Sequence, residues 1–404
     1  MGNGADGAGR AIEFERELVE NILPFWMTHA VDEESGGLHG AVANDLSVIA
    51  DAPRSSVLCA RVLWTFSAAA MRFGRSEYRD MAERMLGLLT DVFWDPEHDG
   101  LYWSVDRNGA PVRDRKHHYA QAFGIYGLSE YHRATGDLHS LDLAKRLFAL
   151  LEEHAHDSRH GGYFEGSTRD WRPLDDPRLS ARDVDAPKSM NTMLHLLEAY
   201  TNLLRVWDDA RLRSHLLDLI RAFLTHIVDE ISGHLRPFFG ADWASVVDVY
   251  SFGHDIEASW LLCEAAAVCR DEALSTDAER AAIALADGVL RDGLDEDGSL
   301  FGEATPEGVA DLSKEWWPQA EGIVGFYNAY QRTGDGRFAE AAFRCWDVVR
   351  ERFVDRSNGD WFKRLAPDGS PDPTSHKAGP WDCPYHHSRA CLEMLERLDG
   401  SKEA

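Results

Sequence analysis

One short turn signal recurs six times along the chain and restricts its fold more than any other feature. Acidic or polar residues, then glycine, then an aromatic or apolar residue appear as DEESGGLHG near Gly37, DPEHDGLYW at Gly100 and DSRHGGYFE near Gly162. The signal returns as DEISGHLRPFF at Gly233, DEDGSLFGE at Gly298 and DRSNGDWF at Gly359, at intervals of 61 to 71 residues. A period of this kind marks repeated copies of one supersecondary unit. A chain of 404 residues would otherwise suggest two domains. The repeat instead predicts a single domain over 1–404, with the glycine-rich 1–11 flexible.

An amphipathic, charged helical segment precedes each turn, as in EYRDMAERMLGLLTDVFW, LDLAKRLFALLEEHAH and RFAEAAFRCWDVVRERF. Apolar residues recur in these at three- and four-residue steps. Several turns lead into hairpin-like loops; LYWSVDRNGAPV alternates apolar residues around Arg107, Asn108 and Gly109. A second helix with far fewer charges follows: VLCARVLWTFSAAAMRF, YAQAFGIYGLSEYH, SMNTMLHLLEAYTNLLRVW, FGHDIEASWLLCEAAAVC, WPQAEGIVGFYNAYQR and CPYHHSRACLEMLERL. Helices that are apolar nearly all round belong inside. The pattern predicts an all-α protein, an (α/α)6 barrel of six inner and six outer helices with short hairpin loops at one mouth. Because each pair is antiparallel, the inner helices all run the same way and their N-terminal ends gather at that mouth.

Composition narrows the function classes. Hydrophobic residues at 44% supply a core, and a net charge of -27 argues against binding nucleic acid or anionic membranes by charge. Cys59, Cys263, Cys269, Cys345, Cys383 and Cys391 mostly fall inside helical patterns without CxxC spacing, and are expected as packed thiols. The start MGNGADGAGR lacks the apolar stretch of a secretory signal, and no run of about 18 apolar residues occurs. A cytoplasmic protein, monomeric or weakly self-associating, is expected. His117 and His118 are adjacent and so do not share a helical face, while His154 and His156 fall in a charged outer helix. Without HExxH or comparable spacing no metal is expected, and without Walker, dinucleotide or GxSxG motifs no cofactor or serine nucleophile is.

The inner helices carry polar or aromatic residues near their starts, where a core helix would carry Leu or Ala. In order these are Arg61, Tyr119, Asn191 with His195, His254 with Glu257 and Trp260, Trp317 with Glu321, and His386 with Arg389. Six sets at matching places predict a shared polar pocket. His254 and Glu257 share a helical face, a setting that fixes an imidazole's tautomer and raises its basicity. Pro318 and Pro384 suit the first helical position, and the helix dipoles at this mouth favour a developing oxyanion. Arg61 needs an anionic mate if buried, either a carboxylate such as Glu257 or Glu321 or a substrate. Trp317 and Trp381 serve as packing or as flat platforms.

Four of these stretches, SARDVDAPKSMNTMLHLLEAY, SFGHDIEASWLL, KEWWPQAEGIVGF and GPWDCPYHHSR, resemble the signatures of the N-acylglucosamine 2-epimerase superfamily, most closely its cellobiose 2-epimerase branch. The resemblance runs from about Glu13 to Leu398. It implies an (α/α)6 barrel and cofactor-free epimerisation at C2 of a reducing sugar. Carried over residue by residue, it makes His254 and His386 the acid/base pair and gives His195 a part in opening the sugar ring. Arg61, Tyr119, Asn191, Glu257, Trp260, Trp317, Glu321 and Trp381 fall on sugar-contacting positions, and indole faces stack on sugar C–H groups.

The chemistry that follows needs two bases. A C2 proton is acidic only when C1 is a carbonyl, so the ring opens first. One histidine then takes the proton and leaves an enediolate, which Arg61 steadies, and the second histidine returns a proton to the opposite face. Asp382, His387 and Met193 stand where that branch usually has Lys, Asn and His. These departures flank the expected site and keep a monosaccharide, through mannose 2-epimerase or mannose isomerase chemistry, beside a β-1,4-linked disaccharide of cellobiose or lactose type. Glycoside hydrolysis, with Glu257 and Glu321 as its two carboxylates, is a third reading.

Overall fold

Over residues 3–180 and 183–400, which the computed structural model describes, the chain closes into a ring. The inner helices are α2 (Ser56–Phe73), α4 (His118–Thr135), α6 (Met190–Val206), α8 (Phe252–Cys269), α10 (Trp316–Thr333) and α12 (Tyr385–Leu398). Each packs on the next, and α12 returns to α2, so the predicted (α/α)6 barrel is present. The outer helices are α1 (Asn3–Arg16), α3 (Ser76–Leu88), α5 (Leu138–His154), α7 (Ala210–Ala222), α9 (Glu272–Asp292) and α11 (Gly336–Val348). Helix α1 begins within the segment expected to be flexible, runs on through Glu17–Ile22 and Leu23–Thr28, and packs against α12, fastening the two ends of the chain together.

The six turns earn their motif residues physically. Their glycines, Gly36, Gly100, Gly162, Gly233, Gly298 and Gly359, all have φ between 71° and 95°, the left-handed region that a side chain disfavours. The leading aspartate accepts backbone N–H groups two residues on, from Glu97 to Asp95, Arg159 to Asp157 and Ser357 to Asp355. It also ion-pairs a cation in the strand that enters the inner helix. The pairs are Asp32–Arg54 at 2.8 Å, Asp95–Lys116 at 3.0 Å, Asp157–Lys188 at 2.8 Å, Asp295–Lys314 at 2.9 Å and Asp355–Lys377 at 2.9 Å. One carboxylate therefore shapes each of these turns and ties it to the start of the next inner helix.

Those entering strands also stitch neighbouring repeats at the mouth. Arg54–Ser55 pairs with Ser104–Val105, Lys116–His117 with Gly166–Ser167, and Lys188–Ser189 with Phe238–Phe239. Tyr250–Ser251 pairs with Glu303–Thr305, Lys314–Glu315 with Arg364–Leu365, and His376–Ala378 closes the circle on Val42–Ala43. The six helix starts are thus held by a ring of antiparallel pairs. All six cysteines are buried and free, as expected, and no helix among the described residues is long and apolar enough to cross a membrane.

Two inner-helix contacts depend on glycine. A Cβ on Gly127 of α4 would lie 2.6 Å from the carbonyl oxygen of Ala60 in α2, and one on Gly325 of α10 would lie 2.5 Å from that of Ile256 in α8. Only a bare backbone lets these helices approach so closely. Gly127→Ala and Gly325→Ala should each lower stability by about 1–3 kcal/mol through overpacking. Urea unfolding measures this, and unchanged midpoints would show that the helices separate without cost.

Candidate active site

The repeat places equivalent residues in layers around the barrel axis. Arg61, Phe123, His195, Glu257 and Glu321 each lie five residues beyond the first residue of their helix, and Arg389 lies four beyond in α12. Three residues nearer the mouth stand His254 and His386, at the same level on α8 and α12 with α10 between them. Tyr119, Asn191 and Trp317 come one residue earlier still. A cavity of about 630 Å³ opens here, within the usual range of small-molecule sites. Its walls include Arg61, Tyr119, Asn191, His195, His254, Glu257, Trp317, Trp381 and His386. Leu179, Ser180 and Asp183, from the loop after Gly162, border it as well.

Each of the three histidines has its Nδ1 engaged. His254 Nδ1 hydrogen-bonds Ser251 Oγ at 2.7 Å, His195 Nδ1 meets Glu198 Oε2 at 3.0 Å, and His386 Nδ1 meets Glu321 Oε1 at 2.7 Å. Engagement of Nδ1 leaves Nε2 for the cavity, where it can take or give a proton. The Trp317 ring lies between the pair, 4.8 Å from the His254 ring and 5.5 Å from that of His386. Gly253 makes this possible, because a Cβ there would sit 2.3 Å from the indole.

Ser251 shows how the sequence serves the site. In the first and third repeats the matching serines, Ser55 and Ser189, cap their helices by accepting the N–H of Leu58 and Thr192. Ser251 makes no such cap; its hydroxyl goes to His254 instead. Glu315 likewise leaves α10 uncapped and accepts from Trp317 Nε1 at 2.7 Å.

Behind the cavity, Arg389 is 1% exposed and gathers three carboxylates. Its Nη2 donates to Glu257 Oε1 at 2.5 Å and Glu321 Oε1 at 2.6 Å, and its Nη1 donates to Glu198 and the Tyr385 hydroxyl. Burial, then the neighbouring Glu321, pushes the Glu257 carboxyl up to about 7, and burial raises Glu321. Burial works the same way on Glu198, but Arg389 and His195 bring it below its ordinary value. Burial also lowers His254 to about 3, and burial with the charges of Arg61 and Arg389 holds His386 well below its usual range. Both imidazoles are therefore neutral near pH 7. Glu257, Glu321 and His386 offer three ligand atoms within 4.8 Å of one another. The Arg389 guanidinium bonds both carboxylates and stands where a metal would.

Several expectations change. Trp260 does not contact the cavity: it lies one layer deeper and lines a separate space of about 480 Å³ at the opposite mouth, with Trp64, Tyr126, Glu198 and Leu392. Its indole donates to Glu321 Oε2 at 3.0 Å. Glu321 is 1% exposed with its oxygens bonded to Trp260 and His386, and it is not on the cavity wall. Glu257 faces the cavity but pairs with Arg389; the partner of His254 is Ser251. Arg61, 3% exposed, has neither carboxylate mate. Its Nη2 donates to Tyr119 at 2.6 Å, its Nη1 meets Cys383 Sγ at 3.4 Å, and its guanidinium lies over the Phe123 and Tyr385 rings. Asn191 Oδ1 and Glu257 Oε2 have no hydrogen-bond partner among the described residues. Asp382 also faces the cavity, with burial pushing it up to about 7, whereas His387 turns away to Asp360 at 2.6 Å and Met193 is buried. Glu198 and Ser251 escaped the sequence reading, although each lies three residues from the histidine it holds.

The N-acylglucosamine 2-epimerase (GlcNAc 2-epimerase) family pattern matches residues 36–390. A cellobiose 2-epimerase of Bacteroides fragilis is 44% identical over 387 residues, covering 95% of this chain and 98% of that protein. The structure of a cellobiose 2-epimerase from Bacillus thermoamylovorans B4167 superposes with a TM-score of 0.92 at 41% identity, covering 96% of this chain and 100% of that one. A D-mannose isomerase structure shares the fold, with a TM-score of 0.84 at 20% identity over 96% of this chain and 98% of that one. The chain therefore belongs to the N-acylglucosamine 2-epimerase family of epimerases.

Proposed function

We propose that the protein inverts C2 of the reducing-end aldose of a β-1,4-linked disaccharide of cellobiose or lactose type, using His254 and His386 as the two bases. The observation that carries this reading is their placement at one level on α8 and α12, on one cavity, with Nδ1 engaged in both and the Trp317 ring between them. His195 moves the ring proton as the pyranose opens to the aldehyde. One neutral imidazole then removes the C2 proton through Nε2. The enediolate oxygens meet Arg61, a buried cation with no carboxylate mate among the described residues, and their negative charge raises the proton affinity of the facing imidazole. Glu257, half protonated near neutrality and on the same wall, stores a proton for the second histidine. Proton return to the opposite face completes the inversion, and no step calls on a cofactor. Trp317 and Trp381 offer stacking faces for the sugar.

Hydrolysis is the poorer reading, since Glu257 and Glu321 both bond one nitrogen of Arg389 and do not flank a glycosidic bond. Incubation with cellobiose, lactose and mannose, followed by NMR of the anomeric protons, tests the assignment. Epimerised disaccharide is expected; turnover of mannose alone would replace the disaccharide by a monosaccharide. In D2O the product should carry deuterium at C2.

His254→Ala and His386→Ala should each lower kcat by about 10²–10⁴-fold with the fold retained by circular dichroism. A normal rate in either would remove the two-base mechanism. Glu321→Gln should lower kcat more than it changes KM, because it disturbs the orientation of His386 and not a sugar contact. His254 also links stability to pH. Its folded value is about 3 against an ordinary 6.5, so unfolding takes up a proton between these values. Stability is full above about pH 6.5 and falls on acidification by about 1.4 kcal/mol per pH unit for this one group. Unfolding free energies of the protein and of His254→Gln across pH 4–7 should differ in slope by that amount.

A further inference from the structure

We propose that Glu152, His156 and His215 form a divalent transition-metal site, suited to zinc, between the outer helices α5 and α7 and away from the barrel mouth. Glu152 lies in the last turn of α5, His156 just beyond its end, and His215 faces them from α7. Their ligand atoms all lie within 4.8 Å of one another. Zinc bonds of about 2.1 Å in tetrahedral geometry place donors about 3.4 Å apart, so a small rearrangement of the side chains completes the set.

The carboxylate is built like a metal ligand. Its Oε1 accepts the hydroxyls of Tyr163 and Tyr200, both at 2.7 Å, which fix its orientation. The side chain is fully buried, and Oε2 lies 2.8 Å from His215 Nδ1. The two atoms form an ion pair, and neither bonds any other described residue. A metal ion bound here would take the place of the proton between these two atoms, with both ligands deprotonated. The His156 ring stands 5.2 Å from that of His215. A cavity of about 360 Å³ reaches His156 and Asp218, one turn beyond His215, and gives the ion access and a fourth position for water or the Asp218 carboxylate. An ion there would clamp two outer helices and the turn at Gly162, a structural task separate from sugar chemistry.

The test uses the full chain stripped with EDTA and titrated with zinc chloride by calorimetry, with cobalt(II) absorption as a second readout. One equivalent should bind and raise the melting temperature, and His156→Gln and His215→Gln should each abolish that binding. His156 makes no hydrogen bond that its replacement would break, so that variant should stay folded. No stoichiometric binding, or equal binding in both variants, would overturn the proposal and leave Glu152 and His215 as an ion pair between helices. None of these readouts depends on the sugar reaction.

Discussion

The site rests on one buried guanidinium. Arg389 joins α12 to Glu198 on α6, Glu257 on α8 and Glu321 on α10, so four of the six inner helices meet at a single cation. Removing a partner from such a cluster strands charge in the interior, at a cost of about 3–5 kcal/mol. The same carboxylates hold histidines of the cavity: Glu198 bonds His195, and Glu321 bonds His386. Three carboxylates about one cation leave excess negative charge, and burial raises Glu257 and Glu321. Barrel closure and the proposed proton chemistry thus share one set of atoms.

The proposed site lies where the repeats stop matching. Ser55 and Ser189 cap helices, while Ser251 gives up its cap to hold His254. Gly253 occupies the place of Tyr119, Asn191 and Trp317 in other repeats and so admits the Trp317 ring. In the fourth repeat the turn aspartate also abandons the common pattern, pairing Asp229 with Arg236, while His234 bonds Asp255 at 2.8 Å. The helix that presents His254 is therefore anchored by its own means. A sixfold scaffold stays intact through five similar ion pairs, and the fourth repeat alone departs from them among the described residues.

The barrel was legible in the sequence because its determinants are local. Asp and Gly at each turn act within a few residues, and helical periodicity separates charged outer from apolar inner helices without any distant contact. The level of each side chain along an inner helix followed from the same counting, which is why Arg61, Tyr119, Asn191, His195, His254 and His386 were found together. Partner choice was not local. Glu257 shares a face with His254, yet the field of Arg389, 132 residues away in sequence, draws it off. Trp260 is three residues past Glu257, and that single helical turn moves it from the lining of one cavity to that of the other. The chain by itself determined which helices form, which way they face and which residues reach the axis. Only the closed ring decided which charge neutralises which, because that depends on side chains from different repeats meeting where water is excluded.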